Sequence, residues 1–246
     1  MQIRGHTLVW HKALPDWLTQ GNFSNWELDD ILQKHVETVI KQYRGQVQIW
    51  DVVNEAIGDN GQLRDTLWSQ TLRPDYIDRA FHLAHEADPQ ACLFYNDYGG
   101  EGRGYKSDKI YELVRGLLKR NVPIHGVGLQ MHVSLKHSPR IQDVISNMQR
   151  LTDLGLEVQV TEMDVAFLDD PRETAEKLVQ QARIYHNTLS ACLSVPNVTA
   201  FVMWGFSDRY YWIDQEKSAD APLIFNEFYQ PKPAYYALKE AFLKSH

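Results

Sequence analysis

The sequence contains little cysteine, and it lacks several motifs on which common chemistries depend. Only Cys92 and Cys192 are present, in apolar stretches and outside any C-x-x-C pair. This argues against a zinc site or a dithiol centre and predicts two buried free thiols. No apolar run reaches about 18 residues, which excludes a membrane-spanning helix. No G-x-G-x-x-G follows a predicted strand, and G-x-S-x-G and H-E-x-x-H do not occur, which disfavours dinucleotide-binding folds, serine hydrolases and zinc proteases.

Positive charge is also scarce. The chain has 25 Lys and Arg against 32 Asp and Glu, for a formal net charge of -7. A chain of this charge, without a basic run or a cationic amphipathic helix, has no electrostatic attraction for nucleic acid or for a membrane surface. The N-terminal stretch MQIRGHTLVWH has no charged region followed by an apolar one, so it predicts no export signal.

Apolar residues are plentiful, and their pattern predicts the fold. They make up 43% of the 246 residues, which is enough for a packed core. Strand-like and helix-like segments alternate six times without a linker, so we expect one domain over residues 1–246. Runs such as VQIWDVV and VTAFVMW are apolar at nearly every position, which is typical of parallel strands buried on both faces. The predicted strands are 3–10, 47–53, 91–95, 127–131, 157–161 and 198–204, and the predicted helices are 26–43, 74–87, 107–120, 139–154, 171–193 and 233–244.

This alternation predicts an α/β fold, either a doubly wound sheet or a closed barrel, and polar residues follow the strands. Glu55 and Glu162 each come directly after a buried strand. Sites form where the carboxyl ends of such strands meet, and two facing carboxylates are what cleavage of a glycosidic bond requires. The 7 Trp and 12 Tyr, many beside polar residues, suit the apolar faces of sugar rings.

Two other readings of these strand ends remain open. A metal could bind between His6, His11 and His132 with neighbouring carboxylates. Asp97, Asp164 and Asp208 could be catalytic, although we interpret them as groups that orient arginine, histidine or backbone amides.

Seven stretches stand out, in order and from end to end of the chain: RGHTLVWH, WDVVNEA, ADPQACLFYNDYG, VPIHGVGLQMHVS, VQVTEMDV, MWGFSDRYYW and PLIFNEFYQPKPAYYAL. Together they resemble glycoside hydrolase family 10, the retaining endo-β-1,4-xylanases. The resemblance implies a TIM (β/α)8-type barrel and the endo-hydrolysis of xylan, without a metal or organic cofactor. It implies a monomer for the complete enzyme, and secretion.

The resemblance also implies roles for single residues. Glu55 is similar to the family's acid/base and Glu162 to its nucleophile. His132 resembles the residue that orients the nucleophile, and Asn54 the one that binds the sugar 2-hydroxyl. The remaining residues that it places against the substrate are Gln130 beside His132, His6 and Trp10 on the non-reducing side, Trp204 and Trp212 around the reacting sugar, and Asn96 and Tyr98 on the reducing side. Double displacement with retention follows, with the two carboxyls about 5–5.5 Å apart.

The sequence departs from the family at its start and at NDYGG. RGHTLVWH resembles the family's third strand, so we expect only about six βα units, with the first two and their glycone-side residues absent. Segments 3–10 and 198–204 would then be apolar edge strands, through which the chain could self-associate. A longer native protein, a second chain that closes the edges, and a decayed gene all fit this expectation. NDYGG has glycine where the family usually has a second asparagine.

Two alternative functions follow from these departures. The first is a xylan-binding remnant that keeps the tryptophans and has little or no activity. The second is a related β-glucanase on the same barrel, because the residues alone do not fix xylose over glucose.

Overall fold

The computed structural model describes residues 2–168, 170–212 and 220–244. These residues divide into two compact units. The N-terminal unit comprises residues 1–100, 104–128 and 154–156, and the C-terminal unit comprises residues 101–103, 129–153 and 157–246. The expectation of a single catalytic domain over residues 1–246 stays a prediction. No helix among the described residues is both long enough and apolar enough to cross a membrane.

Parallel strands alternate with helices in the N-terminal unit. Strand β2 pairs with β1 on one side and with β3 on the other, and Asn54 lies opposite Asn96 at the ends of β2 and β3. In chain order, the elements are β1 (Arg4–Gly5), α1 (Asp16–Thr19), α2 (Asn25–Tyr43), β2 (Ile49–Asn54), α3 (Leu67–Leu72), α4 (Asp75–Ala87), β3 (Cys92–Asp97), α5 (Tyr105–Lys119) and β4 (Gly126–Leu129), whose last residue belongs to the C-terminal unit.

The C-terminal unit repeats this arrangement around a long central strand. Strand β6 pairs in parallel with both β5 and β7, and His132 lies opposite Asp164 where β5 meets β6. The elements that follow β4 are β5 (His132–Ser134), α6 (Ile141–Thr152), β6 (Glu157–Ala166), α7 (Thr174–Ser194), β7 (Val198–Met203) and α8 (Pro233–Lys244), with a short 3-10 helix at Asp208–Tyr210.

Helix α2 shows why the long helices form where the sequence predicts them. Ser24 caps the helix by accepting a hydrogen bond from the Glu27 amide, and the Glu27 carboxylate accepts one from the Ser24 amide in return. This capping box satisfies amide groups that would otherwise lack a partner. The residues that face the core recur at helical spacing: Leu28, Leu32, Val36 and Ile40. The predicted helix over 26–43 is therefore confirmed to within one residue.

The predicted strands are correct in position but not always in length. The segment predicted as a strand over 3–10 is paired as a strand only at Arg4–Gly5. Beyond it, the Leu8 and Val9 amides donate to the carbonyls of Asp51 and Val52, so the chain still follows β2 without a continuous ladder. The predicted strand over 127–131 ends at Leu129, because Met131 has a left-handed φ of 64°. The sequence pattern missed the short helices α1 and α3.

The expectation that both apolar runs are buried on two faces holds for one of them. In β2 every residue after Ile49 is buried, whereas in β7 no residue is fully buried and Val202 is 42% exposed. The expectation of an exposed apolar edge at 198–204 is therefore met. Of the two predicted buried thiols, Cys192 is buried and Cys92 is partly exposed.

Candidate active site

Glu55 lies in the N-terminal unit, directly after the buried end of β2. The parallel register places Asn54 beside Asn96, and the Asn96 side-chain amide donates to Asn54 Oδ1 over 2.9 Å. Asn54 Nδ2 in turn donates to Glu55 Oε1 over 3.4 Å. All three residues are buried. The structure thus brings together Asn54, Glu55 and Asn96, as the sequence pattern predicts.

The backbone of Glu55 is left-handed, with a φ of 56°. Residues other than glycine rarely adopt this conformation, and such outliers persist where the surroundings hold them. Two hydrogen bonds hold the peptide groups of Glu55: its amide donates to the Asn96 carbonyl over 2.9 Å, and Arg64 Nε donates to its carbonyl over 2.9 Å. A left-handed φ gives the Glu55 side chain a direction that it would not have if the extended strand continued through this residue.

His11 is the imidazole nearest to this carboxyl. Its Nε2 lies 3.9 Å from Glu55 Oε2. Burial lowers the pKa of His11, and the positive charge of Arg64 lowers it further, against the opposing charge of Glu55. The imidazole is therefore uncharged at neutral pH.

His6 lies beside Asp51, a carboxylate buried in the middle of β2, and Trp10 lies beside His6. Asp51 Oδ2 lies 3.0 Å from His6 Nδ1 and accepts a hydrogen bond from Arg4 Nε over 3.0 Å. The rings of His6 and Trp10 meet edge to face, with 6.3 Å between their centroids. Asp51 therefore fixes the orientation of His6, and through it the neighbouring indole.

Tyr98 belongs to a polar network at the end of β3. Its hydroxyl donates to Asp59 Oδ1 over 2.7 Å and accepts from Arg64 Nη2 over 3.1 Å. Lys106 Nζ lies 3.3 Å from the centroid of its ring. The face and the hydroxyl of this predicted substrate-binding tyrosine are thus both engaged by protein side chains.

Glu162 lies in the C-terminal unit, on β6, where it contacts a charged histidine. His132 Nε2 is 3.1 Å from Glu162 Oε2, and His132 Nδ1 is 2.9 Å from Asp164 Oδ2. Burial alone would lower the pKa of His132, but the hydrogen bonds to the two carboxylates outweigh burial and raise it to about 9. His132 is therefore a cation at neutral pH, held between the two carboxylates.

Gln130, Trp204 and Trp212 complete the predicted residues of this unit. Gln130 is buried, and its carbonyl accepts from the Glu162 amide over 3.1 Å. Trp212 Nε1 donates to Asp164 Oδ2 over 2.9 Å, and the ring centroids of Trp212 and Trp204 lie 5.4 and 6.4 Å from that of His132. Both indoles are partly exposed, so their faces are open to a ligand.

The eleven predicted site residues thus form two groups, one in each unit. The group of the N-terminal unit consists of His6, Trp10, Asn54, Glu55, Asn96 and Tyr98, and that of the C-terminal unit of Gln130, His132, Glu162, Trp204 and Trp212. Asp164 orients His132, as the sequence interpretation expects. In the part of the chain that the structure describes, no three or more His, Cys, Asp and Glu side chains form a cluster fit for a metal ion. The alternative of a metal between His6, His11 and His132 therefore gains no support.

Several polar residues beside these groups were not predicted from the sequence. Asp51 could have been found, because it is the one charged residue in VQIWDVV. Glu101, whose Oε1 accepts from the Met131 amide over 3.1 Å, directly follows NDYGG. Arg64 and Lys106 come from a hairpin and the start of a helix, where no periodicity or motif marks them.

The chain matches known proteins over nearly its whole length. It is 43% identical over 241 residues to the endo-1,4-beta-xylanase B of Thermotoga neapolitana, which covers 98% of this chain and 69% of that protein. Its structure matches native xylanase 10B from Thermotoga maritima with a TM-score of 0.95 and 40% identity, over 99% of this chain and 75% of that one. Xylanase 10B from Thermotoga petrophila RKU-1, solved in complex with xylobiose, matches with the same TM-score and identity, over 99% of this chain and 74% of that one.

These likenesses confirm the predicted fold class, the α/β barrel of the TIM type. The model of glycosyl hydrolase family 10 matches residues 1–241, so the resemblance stated from the motifs is confirmed. The chain belongs to glycosyl hydrolase family 10.

Proposed function

We propose that the protein is an endo-1,4-β-xylanase that cleaves β-1,4-xylosidic bonds in xylan with retention of anomeric configuration. The observation that carries this proposal is the charged His132 beside Glu162, held by Asp164. The hydrogen bond from the His132 cation to Glu162 Oε2 orients this carboxylate, which suits a nucleophile. The relatives named endo-1,4-beta-xylanase support the substrate class.

The mechanism gives each of the two carboxyls its own role. Glu162 attacks the anomeric carbon while Glu55, protonated, donates its proton to the departing glycosidic oxygen, and a covalent xylosyl-enzyme forms. Glu55, now a carboxylate, accepts a proton from the water that attacks the same carbon and releases Glu162. No metal or organic cofactor takes part. Retention requires the two carboxyls to lie about 5–5.5 Å apart, and this separation stays a prediction.

The other residues are proposed to bind the sugar chain. Trp204 and Trp212 present partly exposed indoles beside His132, which suits the apolar faces of xylose rings. The other proposed contacts are Asn54 to the 2-hydroxyl of the reacting sugar, Gln130 beside His132, His6 and Trp10 on the non-reducing side, and Asn96 and Tyr98 on the reducing side. The network at Tyr98 supports a positioning role for its hydroxyl and leaves its ring edge for the sugar.

We also propose three properties of the protein beyond its activity: the part of the barrel that it forms, its self-association and its secretion. The chain corresponds to the family's barrel from the third strand onward, which accords with its covering 69% of the Thermotoga neapolitana relative and 75% of the Thermotoga maritima structure. The protein self-associates through the exposed apolar strand β7. Secretion is proposed from the family resemblance, and cell fractionation of the source organism tests it.

Hydrolysis of an aryl β-xylobioside by the purified chain tests the function. We expect turnover that Glu162→Ala abolishes, and a first product of the same anomeric configuration when ¹H NMR follows the reaction. Turnover with inversion would contradict the retaining mechanism. Binding of xylan without any turnover would instead support the xylan-binding remnant, and a preference for the matched aryl cellobioside would support the β-glucanase. The presence of both carboxylates favours the enzyme over the remnant.

A further inference from the structure

A second group of buried polar side chains contacts the loop that follows Glu55. The loop forms a small hairpin, in which Ile57 pairs with Leu63 and the Arg64 amide donates to the Ala56 carbonyl over 2.7 Å. Arg64 Nε holds the Glu55 carbonyl on one side of this hairpin. The Ile57 amide, two residues beyond Glu55, makes a separate set of hydrogen bonds within the N-terminal unit.

Tyr95 and Asp97, two residues apart on β3, receive the Ile57 amide. This amide donates to Tyr95 Oη over 3.2 Å and to Asp97 Oδ2 over 3.4 Å, and the Tyr95 hydroxyl donates to the same carboxylate oxygen. Both side chains are almost completely buried. The mechanism proposed above uses neither of them.

Lys106 supplies the charge that a buried carboxylate needs. Its Nζ lies 3.1 Å from Asp97 Oδ1, which also accepts from the Tyr98 amide over 2.9 Å. Burial raises the pKa of Asp97 to about 6 against the opposing charge of Lys106, so Asp97 is ionised above that pH. Burial and the charge of Asp97 raise the pKa of Tyr95 well above its usual value, so its hydroxyl keeps the proton that it donates.

We propose that Tyr95 and Asp97 are positioning residues for the acid/base Glu55. They anchor the peptide two residues beyond it, and so hold the left-handed backbone from which Glu55 presents its carboxyl. Glu55 is then held at three points: its amide by Asn96, its carbonyl by Arg64, and the following turn by Tyr95 and Asp97. This inference rests on the role proposed for Glu55.

Substrates with different leaving groups can distinguish a positioning role of Tyr95 and Asp97 from a purely structural one. Protonation by Glu55 assists the departure of a poor leaving group strongly and that of an activated one hardly at all. Tyr95→Phe removes only the hydroxyl. We expect it to lower kcat/KM about tenfold or more on phenyl β-xylobioside, and less than about twofold on 2,4-dinitrophenyl β-xylobioside.

Tyr185→Phe is the matched control. Tyr185 is also completely buried, and its hydroxyl donates to the Pro222 carbonyl over 2.9 Å in the C-terminal unit. Loss of this hydroxyl should change kcat/KM on the two substrates by the same factor. Asp97→Asn provides a second test of the network, with the same selective loss expected. Equal losses on both substrates for Tyr95→Phe and Asp97→Asn would overturn the proposal.

Amide hydrogen exchange tests the same inference without any turnover. We expect Tyr95→Phe to speed exchange in peptides covering residues 55–64 while the rest of the N-terminal unit exchanges as in the wild type. Unchanged exchange in this segment, or a rise throughout the unit, would overturn the proposal. If the wild-type chain hydrolysed neither xylobioside, the proposed function would fail, and exchange confined to 55–64 would still support the anchoring of this loop.

Discussion

At the scale of single residues, the charge of His132 is the property from which most follows. The hydrogen bonds to Asp164 and Glu162 raise its pKa from 6.5 to about 9, although its burial opposes this. Because the folded pKa lies above that of the unfolded chain, the protonated imidazole contributes stability that is fully present below pH 6.5. This contribution is lost as the pH rises through about 9. It amounts to about 3 kcal/mol at about 1.4 kcal/mol per pKa unit.

The matching prediction compares the wild type with His132→Gln between pH 6 and 10. We expect the difference in the free energy of unfolding to be largest at pH 6 and to shrink by about 2–3 kcal/mol toward pH 10. Urea unfolding at each pH measures it, and an NMR titration of the His132 imidazole should show a midpoint near 9. A midpoint near 6.5, or a difference that does not change with pH, would contradict the prediction.

The sequence predicts residues best where a strand ends. Glu55 and His132 were found because each lies just beyond a buried apolar run, which fixes both its depth and the direction in which it lies. Glu162 was found although the strand does not end before it, since β6 continues to Ala166, beyond the predicted end at residue 161. Arg64 and Lys106 were missed for the opposite reason. They reach the ends of β2 and β3 from a hairpin and from the first turn of α5, and long side chains from such places are located by tertiary packing alone.

At the scale of the element, α2 carries both of the signals that made it predictable. Its capping box at Ser24 marks where the helix begins, and its apolar stripe recurs at helical spacing. Strand β7 was predicted to be buried on both faces and is not. An apolar run has the same sequence pattern whether or not another element covers its second face. The early end of β4 had no signal either, since a methionine in a left-handed conformation violates the usual preference at that position.

Substitutions in α2 should separate its stripe from its cap. Leu32→Ala leaves a cavity at a completely buried position and should lower the free energy of unfolding by about 2–5 kcal/mol. Ser24→Ala removes the cap and should cost about 1 kcal/mol. Lys34→Ala, at a side chain that is 74% exposed, is the control and should change stability by less than about 0.5 kcal/mol. Urea unfolding measures all three, and equal effects of Leu32→Ala and Lys34→Ala would rule out the packing argument.

At the scale of the whole molecule, the surface combines an acidic net charge with an exposed apolar strand. A net charge of -7 promotes solubility, whereas a strand such as β7, with Val202 42% exposed, offers backbone and side chains for pairing with another chain. We expect the strand to dominate at high protein concentration, because the repulsion of net charge is screened within about 10 Å at ordinary salt.

Val202→Lys should therefore reduce self-association, because a lysine on an exposed strand opposes pairing between strands. Val179→Lys is the matched control, since Val179 is 67% exposed on α7 and carries the same substitution on a helix. Sedimentation equilibrium at several concentrations should show a clear loss of higher-mass species for Val202→Lys only. A wild-type chain that is monomeric throughout, or equal behaviour of the two variants, would refute a role for β7 in association.

The left-handed backbone at Glu55 has a consequence for how this position changes over evolutionary time. Glycine would occupy this conformation without strain, whereas glutamate costs about 1 kcal/mol or more there. In a gene under no selection for turnover, replacements at position 55 that favour folding would also remove the carboxyl. Selection for stability and selection for activity thus oppose each other at this residue.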